Sequence, residues 1–490
     1  MSSQELAIDR LQMAVVDGRT ENVRYRQDQL QSLHEALRTD ASTICSALTQ
    51  DTKGSAAEVE SEYYLAMDAV RHFYESLDFD QALKDEYSVT QARDYASRRL
   101  GVGMVVIRPT SHTRLYSIVS PLAAAICAGN CVVLELQDTL LQVDSVLGEV
   151  LPSALDVNTF CLSKTITDAS ILDSAVLVDQ TSSAASKSLT TQLLSSSAAR
   201  TVAIVDRTAD IQAAAKAITT ARFTFGGTSP YAPDLVLVNE YVKIAFFEAC
   251  SKYATLAFAK DSNVKKVSGN QSEESRKAVK EAEDRRQATS FGSNDFKLID
   301  IIDKNTPLMN IKISGRYLPI TTCSGLVDAI FTQQFESPPL LAGYFFGDAG
   351  SVKYMSQHLP CHISCLNQIP AHLLVGPAAP LAHDADFRYR YSTAMFSVAR
   401  PQYVEKSMGA FAKAEQLLEG VKGISTSSVR ALAVKPLRPT GQPSNWGIGF
   451  FEQGILIGAS LILTVVAPVI GYTTWVTGRK GFQLAMKLKK

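Results

Sequence analysis

Cysteine thiolates are among the most nucleophilic groups in a polypeptide, and paired cysteines or cysteine–histidine sets hold metals. The chain has eight: Cys45, Cys127, Cys131, Cys161, Cys250, Cys323, Cys361 and Cys365. None stands in Cys-x-x-Cys spacing, so neither a disulfide framework nor a zinc site is indicated. Cys361 and Cys365 lie near His358 and His362. Strand-like neighbours and the lack of a second ligand pair argue against a metal there. Cys250 falls in FFEACSKYA, a helical stretch in which a packed thiol is the expected role. No metal ligand set is predicted.

The elements around these residues alternate. Residues 4–50 are helical by the recurrence of Leu30, Leu33, Leu37 and Ile44, and a second helical block covers 56–77. GVGMVVIRP (101–109) and CVVLEL (131–136) are apolar, β-branched runs separated by the small-residue helix SIVSPLAAAICAGN. Strand, helix and strand in that span make a βαβ unit of a parallel sheet. The alternation continues with VDSVLGEVL as helix, SAVLVD (174–179) as strand, SSAASKSLTTQLL (182–194) as helix and TVAIVD (201–206) as strand. DIQAAAKAITTARF is then helical, DLVLVN (234–239) a strand and YVKIAFFEACSKYATLAF a helix. The class is α/β: a Rossmann-type doubly wound domain leading into a second α/β domain. Residues 263–295 are polar with mixed charge, a solvated helix and loop, and 407–445 read as a linker rich in small residues and proline.

With 490 residues, 46 % hydrophobic and 20 % charged, the chain can build a sizeable core and is not a disordered protein. Lys and Arg number 48 against 49 Asp and Glu. No basic field exists to gather nucleic acid, and none is expected as a partner. The opening MSSQELAIDR has no apolar core and does not read as a signal peptide. From Gly454 to Val476 there is no charged residue over 23 positions. As a helix that is ~35 Å, enough to span a ~30 Å hydrocarbon core. Trp446 and Trp475, the only tryptophans, bracket the run, and GRKGFQLAMKLKK follows with five basic residues. The expectation is a membrane anchor with the body cytosolic.

Several segments resemble class 3-type aldehyde dehydrogenases, the group that includes membrane-anchored fatty aldehyde dehydrogenases. They are GRTENVRYRQDQLQSLHEAL (18–37), LTQDTKGSAAEVESEY (48–63), PLAAAICAGNCVVLE (121–135), ARFTFGGTSPYAPDLVLVN (221–239) and GRYLPITTCSGLVDAI (315–330). The resemblance runs over roughly residues 15–370. It implies an aldehyde dehydrogenase-like fold, with a nucleotide-binding-like domain over 1–205 and a catalytic-like domain over 206–400. A C-terminal segment and linker (401–453), a transmembrane helix (454–476) and a basic tail (477–490) complete the division. It also implies a homodimer, or a heterodimer with an active paralogue. The endoplasmic reticulum is the membrane the family suggests, with the mitochondrial outer membrane and peroxisome open.

Aldehyde oxidation of the family's type needs a thiolate, an oxyanion donor, a general base and a nicotinamide cofactor. The position of the family's nucleophile, just before Ala-Pro-Asp, is held here by Pro230. A one-residue shift offers Ser229, a hydroxyl without an adjacent activating base. The general-base Glu of Glu-Leu-Gly-Gly-Lys aligns with Ser196, and its Lys with Arg200. The oxyanion Asn aligns with Ser111, and the neighbouring His112 reads as loop polar surface rather than as a functional histidine. The Lys that binds the adenine ribose becomes Glu135, a carboxylate that accepts ribose hydroxyls in other dinucleotide sites. The phosphate turn becomes QTSSAASK (180–187), without glycine but with Ser182 and Ser183 as donors. The Glu and Phe of Glu-x-Phe-Gly align with Lys312 and Ser314.

Two functions follow. The first is a membrane-anchored pseudoenzyme, a scaffold or partner with no cofactor. The alternative is a divergent oxidoreductase that uses NAD or NADP on aldehydes of the fatty type. Cofactor binding separates them.

Overall fold

Short β-branched runs form the strands because they are enclosed on both faces. In MVVIR, Val105, Val106 and Ile107 are fully buried, and in CVVLE all five residues are buried. A computed structural model describes residues 3–136, 140–166, 168–181, 192–260, 273–293, 295–334, 339–380, 383, 386–441, 447 and 450–487. Its strands are β1 Arg99–Gly101, β2 Met104–Arg108, β3 Cys131–Glu135, β4 Phe160–Ser163, β5 Val176–Asp179, β6 Gln192–Leu194, β7 Thr201–Val205 and β8 Leu235–Asn239. They continue with β9 Ala288–Gly292, β10 Lys297–Ile301, β11 Tyr317–Cys323, β12 Leu340–Phe346, β13 Cys361–Leu366 and β14 Ser397–Ala399.

The first sheet has the order β4-β3-β2-β5-β6 and is parallel throughout. By chain order that is third, second, first, fourth, fifth, the doubly wound arrangement expected from the sequence. Its switch point lies between β2 and β5, where ligands of such sheets bind outside the carboxyl ends of the strands. The helix Arg114–Cys127, buried at every residue, connects β2 to β3. Helices Val23–Thr39, Ala41–Thr52 and Ala56–Glu75 pack into the same core through Leu30, Leu33, Leu37, Ile44 and Val70. A capping box between Ser55 and Glu58 sets the start of the last of these.

The second sheet runs β13-β12-β7-β8-β11-β10-β9, parallel except for the β9–β10 pair. Strand β7, grouped by sequence with the first block, pairs with β8 and β12 in this sheet. Strands β1 and β14 form a separate antiparallel ribbon.

Three segments differ from the sequence reading. Of the helix expected over 182–194, residues 182–191 lie outside the described residues, and Gln192–Leu194 is a strand beside β5 with Leu193 buried. Register with β5 overrides the local helical pattern. The polar stretch 263–295 does contain a solvated helix, Glu273–Asp284, but ends in β9, an edge strand held by pairing with β10. The expected linker contains two short helices, Gly409–Leu418 and Thr426–Ala433, the second started by a Ser425 capping box.

Residues 1–405 form one compact unit and 406–490 another. In the second, a helix runs from Phe450 to Lys487, and its Glu452–Arg479 portion is long and apolar enough to cross a membrane. It extends beyond the apolar run at both ends.

Phe345 on β12 is fully buried in the second sheet's core, whereas Val327 is 55 % exposed. Phe345→Ala is expected to cost roughly 3–5 kcal/mol of stability in denaturant unfolding. Val327→Ala should stay within about 0.5 kcal/mol.

Candidate functional site

The carboxyl ends of β2, β3 and β5 bring Arg108, Glu135 and Asp179 together at the switch point. In-register pairing of β2 with its two neighbours puts them there: Ile107 faces Leu134, and Arg108 faces Asp179. Arg108 donates from Nε to Glu135 Oε2 at 2.7 Å and from Nη2 to Oε1 at 3.1 Å, a bidentate pair. Its Nη1 reaches Asp179 Oδ2 at 3.4 Å. The backbone N–H of Ile166 donates to Glu135 Oε1 at 3.0 Å. The hydrogen bond to Glu135 raises the Arg108 pKa above its ordinary value, against burial. A cavity of 370 Å³ opens beside this group, with Thr110, Ser111 and Ser197 in its wall. Arg114 also lines it, but its donors go to Asp144 at 2.8 and 2.9 Å and to the carbonyls of Pro109 and Thr110.

The loop between the helix Ile211–Phe223 and β8 carries Thr228, Ser229 and Pro230. Asp234, at its end, is fully buried. Its Oδ2 accepts from Thr201 N at 2.8 Å and from Lys312 Nζ at 2.9 Å, and its Oδ1 accepts from Ile313 N at 3.0 Å. Arg222, also fully buried, lies 3.6 Å from Oδ1 and donates to the carbonyls of Gly227, Pro233, Ile313 and Gly315. Lys312 Nζ makes a second bond, 2.5 Å to the carbonyl of Pro230. Burial lowers the Arg222 pKa to about 10 and also lowers that of Lys312, while Asp234 opposes both. Gly227, at φ +71°, is needed for the close approach of the two loops. A Cβ there would stand 2.2 Å from the carbonyl oxygen of Gly315. Pro230, Lys312, Ser314, Ser197 and His112 surround a 170 Å³ cavity.

His112 joins the two halves. Its Nε2 lies 2.9 Å from the carbonyl of Leu374, so the neutral ring carries its proton there. Nδ1 lies 2.9 Å from Thr228 Oγ1, whose hydroxyl also reaches the Phe225 carbonyl at 2.8 Å. Burial lowers its pKa to about 4, with the Leu374 carbonyl opposing, which keeps the ring neutral near pH 7.

A third cavity, 490 Å³, is lined by Ser111, His112, Phe225, Glu58 and Glu62 among others. Glu62 is 2 % exposed and accepts from Leu115 N at 2.8 Å and Tyr116 N at 3.4 Å. It thereby caps the helix Arg114–Cys127, whose N-cap residue Thr113 makes no side-chain cap of its own. Burial raises its pKa to about 7, with those two N–H donors opposing.

Residues 5–296, more than half of the sequence, match the model of the aldehyde dehydrogenase family. The chain belongs to this family. Bovine aldehyde dehydrogenase family 3 member B1 is 33 % identical over 160 residues, covering 32 % of this chain and 34 % of that protein. The chain thus aligns with about a third of that relative's length. The rat member B1 is 26 % identical over 383 residues, 72 % of this chain and 80 % of the relative. The rat dimeric NADP-preferring aldehyde dehydrogenase is 23 % identical over 378 residues, 71 % and 82 %. Among solved structures, Staphylococcus aureus AldH in its substrate-bound state superposes with a TM-score of 0.65 at 18 % identity, over 86 % of this chain and all of that one. At that identity the likeness shows the fold.

The positions assigned by resemblance to aldehyde dehydrogenases fall around adjoining cavities. Pro230, Lys312 and Ser314 share the 170 Å³ cavity, and Ser111 and Glu135 share the 370 Å³ one. Ser196 lines neither, whereas its neighbour Ser197 lines both. Ser229 is buried, and its hydroxyl accepts from Tyr231 N at 3.3 Å. Ser182 and Ser183 lie outside the described residues. Cys250 is fully buried, and burial raises its thiol pKa well above the ordinary value. His112 corrects the reading as loop surface, since it bridges three chain segments. Arg108, Asp179, Arg222, Asp234 and Glu62 were not singled out by sequence. Arg108 and Glu135 do both end apolar strand runs, which was the available signal for their meeting.

Glu62 generates a pH prediction. Its folded carboxyl stays protonated up to about pH 7, while the unfolded one loses its proton near 4.5. The folded state therefore binds more protons in that window, and stability falls as pH rises through it. Relative to the parent, Glu62→Gln should be unchanged below pH 4.5 and more stable by on the order of 3 kcal/mol at pH 8. Denaturant unfolding at a series of pH values measures this, and a constant difference between the two proteins contradicts it.

Proposed function

We propose that this chain is a membrane-held member of the aldehyde dehydrogenase family that has lost aldehyde oxidation and acts as a scaffold or partner. The observation that carries the reading is at Pro230. The residue aligned with the thiolate has no nucleophile, and its carbonyl is tied to Lys312. Loss of a covalent nucleophile alone commonly costs on the order of 10⁴ to 10⁶ in rate.

The cofactor side supports the same conclusion. In place of the family's ribose-binding Lys stands Glu135, which is itself only 1 % exposed. One of its oxygens takes Arg108 Nε, and the other takes both Arg108 Nη2 and Ile166 N. Three of its roughly four acceptor sites are thus taken by protein donors, which leaves it poorly placed to receive ribose hydroxyls and supports a site without a nicotinamide dinucleotide. Ser111, the oxyanion position, and Ser197, the residue beside the aligned base position, supply hydroxyls where an amide and a carboxylate are expected. A serine can donate a hydrogen bond but cannot take up a proton near neutral pH.

The helix Glu452–Arg479 supports membrane attachment; a cytosolic body on the endoplasmic reticulum, with the mitochondrial outer membrane and peroxisome as alternatives, is the family-based part of the proposal. A rat relative is named dimeric and NADP-preferring. That supports a homodimer, or a pair with an active paralogue. The second reading, a rebuilt oxidoreductase using NAD or NADP, draws on the 370 Å³ cavity that remains at the switch point.

Calorimetry on the detergent-solubilised full chain separates the two. The scaffold reading expects no NAD⁺ or NADP⁺ binding up to millimolar concentration from protein with intact circular dichroism. It also expects no fatty-aldehyde turnover from Pro230→Cys, because the base and cofactor positions remain altered. Sub-millimolar dinucleotide binding, or turnover by the parent chain, would reverse the assignment.

A further inference from the structure

The second unit carries apolar surface that its own short helices do not cover. In the helix Gly409–Leu418, Phe411 is 78 % exposed and Leu418 89 % exposed. They stand seven residues apart and so share one stripe, with Lys413 on the opposite side. Leu417, Ile424 and Val429 are only partly exposed, and the helices Gly409–Leu418 and Thr426–Ala433 touch each other. The pair therefore has a partly covered seam and a separate open apolar face. Leu432 in the second helix is 52 % exposed, and Val434 and Leu437 after it are 72 % and 93 % exposed. A water-facing run of this kind is unfavourable unless something apolar receives it.

Charge identifies the recipient. Residues 406–441 contain six basic side chains, Lys406, Lys413, Lys422, Arg430, Lys435 and Arg438, against two acidic ones, Glu415 and Glu419. The chain as a whole has a net charge of -1, so this excess is local. Large apolar residues interleaved with Lys and Arg on short helices suit the boundary between acyl chains and headgroups. The basic groups suit anionic headgroups. Continuity along the chain points the same way, since the membrane-length portion of the last helix begins at Glu452, eleven residues after Gly441.

We infer that residues 406–441 are a membrane-interface platform, lying on an anionic lipid surface with Phe411, Leu418 and Leu437 entering the acyl boundary. It rests on the reading of Glu452–Arg479 as a membrane-crossing helix. The platform would fix the short stretch of chain next to the bilayer in place of a free tether. A protein partner is the competing occupant, and lipid dependence distinguishes the two.

The test uses the full chain with Trp446→Phe and Trp475→Phe, leaving a single tryptophan introduced as Phe411→Trp, Leu418→Trp or, as a control, Leu461→Trp. Each variant is reconstituted into vesicles of zwitterionic phosphatidylcholine, with or without a third of phosphatidylserine, and quenched by brominated lipids or aqueous iodide. The platform predicts shallow lipid quenching at Phe411→Trp and Leu418→Trp, at least twofold stronger with phosphatidylserine and reduced by 0.5 M salt, with iodide largely excluded. Leu461→Trp should be quenched by deep bromines in both lipids. Deep quenching at Leu461→Trp with the other two open to iodide would overturn the platform and leave the anchor intact. Iodide access at all three positions would overturn both.

Discussion

A fully buried carboxylate must have its charge and lone pairs matched, and Asp234 imposes that requirement on both loops of the candidate site. Two backbone N–H groups, the Lys312 ammonium and the Arg222 guanidinium converge on it. Arg222 in turn gathers carbonyls from the loop before β8 and from the segment before β11. Removing one partner from such a group leaves an uncompensated charge in the interior, typically at a cost of about 3–5 kcal/mol. The loop holding Pro230 is therefore a rigid part of the fold.

Lys312 meets the same requirement from the other side. Its ammonium lies 2.9 Å from Asp234 Oδ2. The resulting pair draws the side chain inward, to Asp234 and the Pro230 carbonyl. At the switch point, Glu135 pairs with Arg108. Both Lys312 and Glu135 find a partner of opposite charge within 3 Å. Side chains at the positions that the resemblance assigns to ligand contact are thus held in internal ion pairs. His112 and Glu62 belong to the same pattern. One bridges loops as a neutral ring, and the other caps a helix with a carboxyl whose charge is disfavoured by burial.

The framework was legible in the sequence wherever a run was long, apolar and β-branched, as in MVVIR, CVVLE and LVLVN. It was not legible in FCLS at β4, QLL at β6 or ATSFG at β9. These strands are short or polar and exist only through register with a neighbour. Likewise, the identities at Pro230, Glu135 and Lys312 could be read directly, but the direction of each side chain could not. Arg108 with Glu135, and Lys312 with Asp234, are separated by 27 and 78 residues, respectively. The ends of two apolar strand runs give a partial signal for the first pairing, and no local pattern in a single sequence predicts the second. Ser196 and Ser197 differ by one position, and only the backbone path after β6 decides which reaches the cavities.

The pairing of Lys312 with Asp234, like that of Glu135 with Arg108, is structural. A double-mutant cycle on Lys312 and Asp234 tests it most directly, using Lys312→Met, Asp234→Asn and the double variant in denaturant unfolding of the solubilised chain. Structural pairing predicts a coupling energy of roughly 1–3 kcal/mol, with the double variant less damaged than the sum of the singles. Additivity within about 0.5 kcal/mol would mean that Lys312 does not depend on Asp234. The inward, structural role assigned to that position would then be wrong.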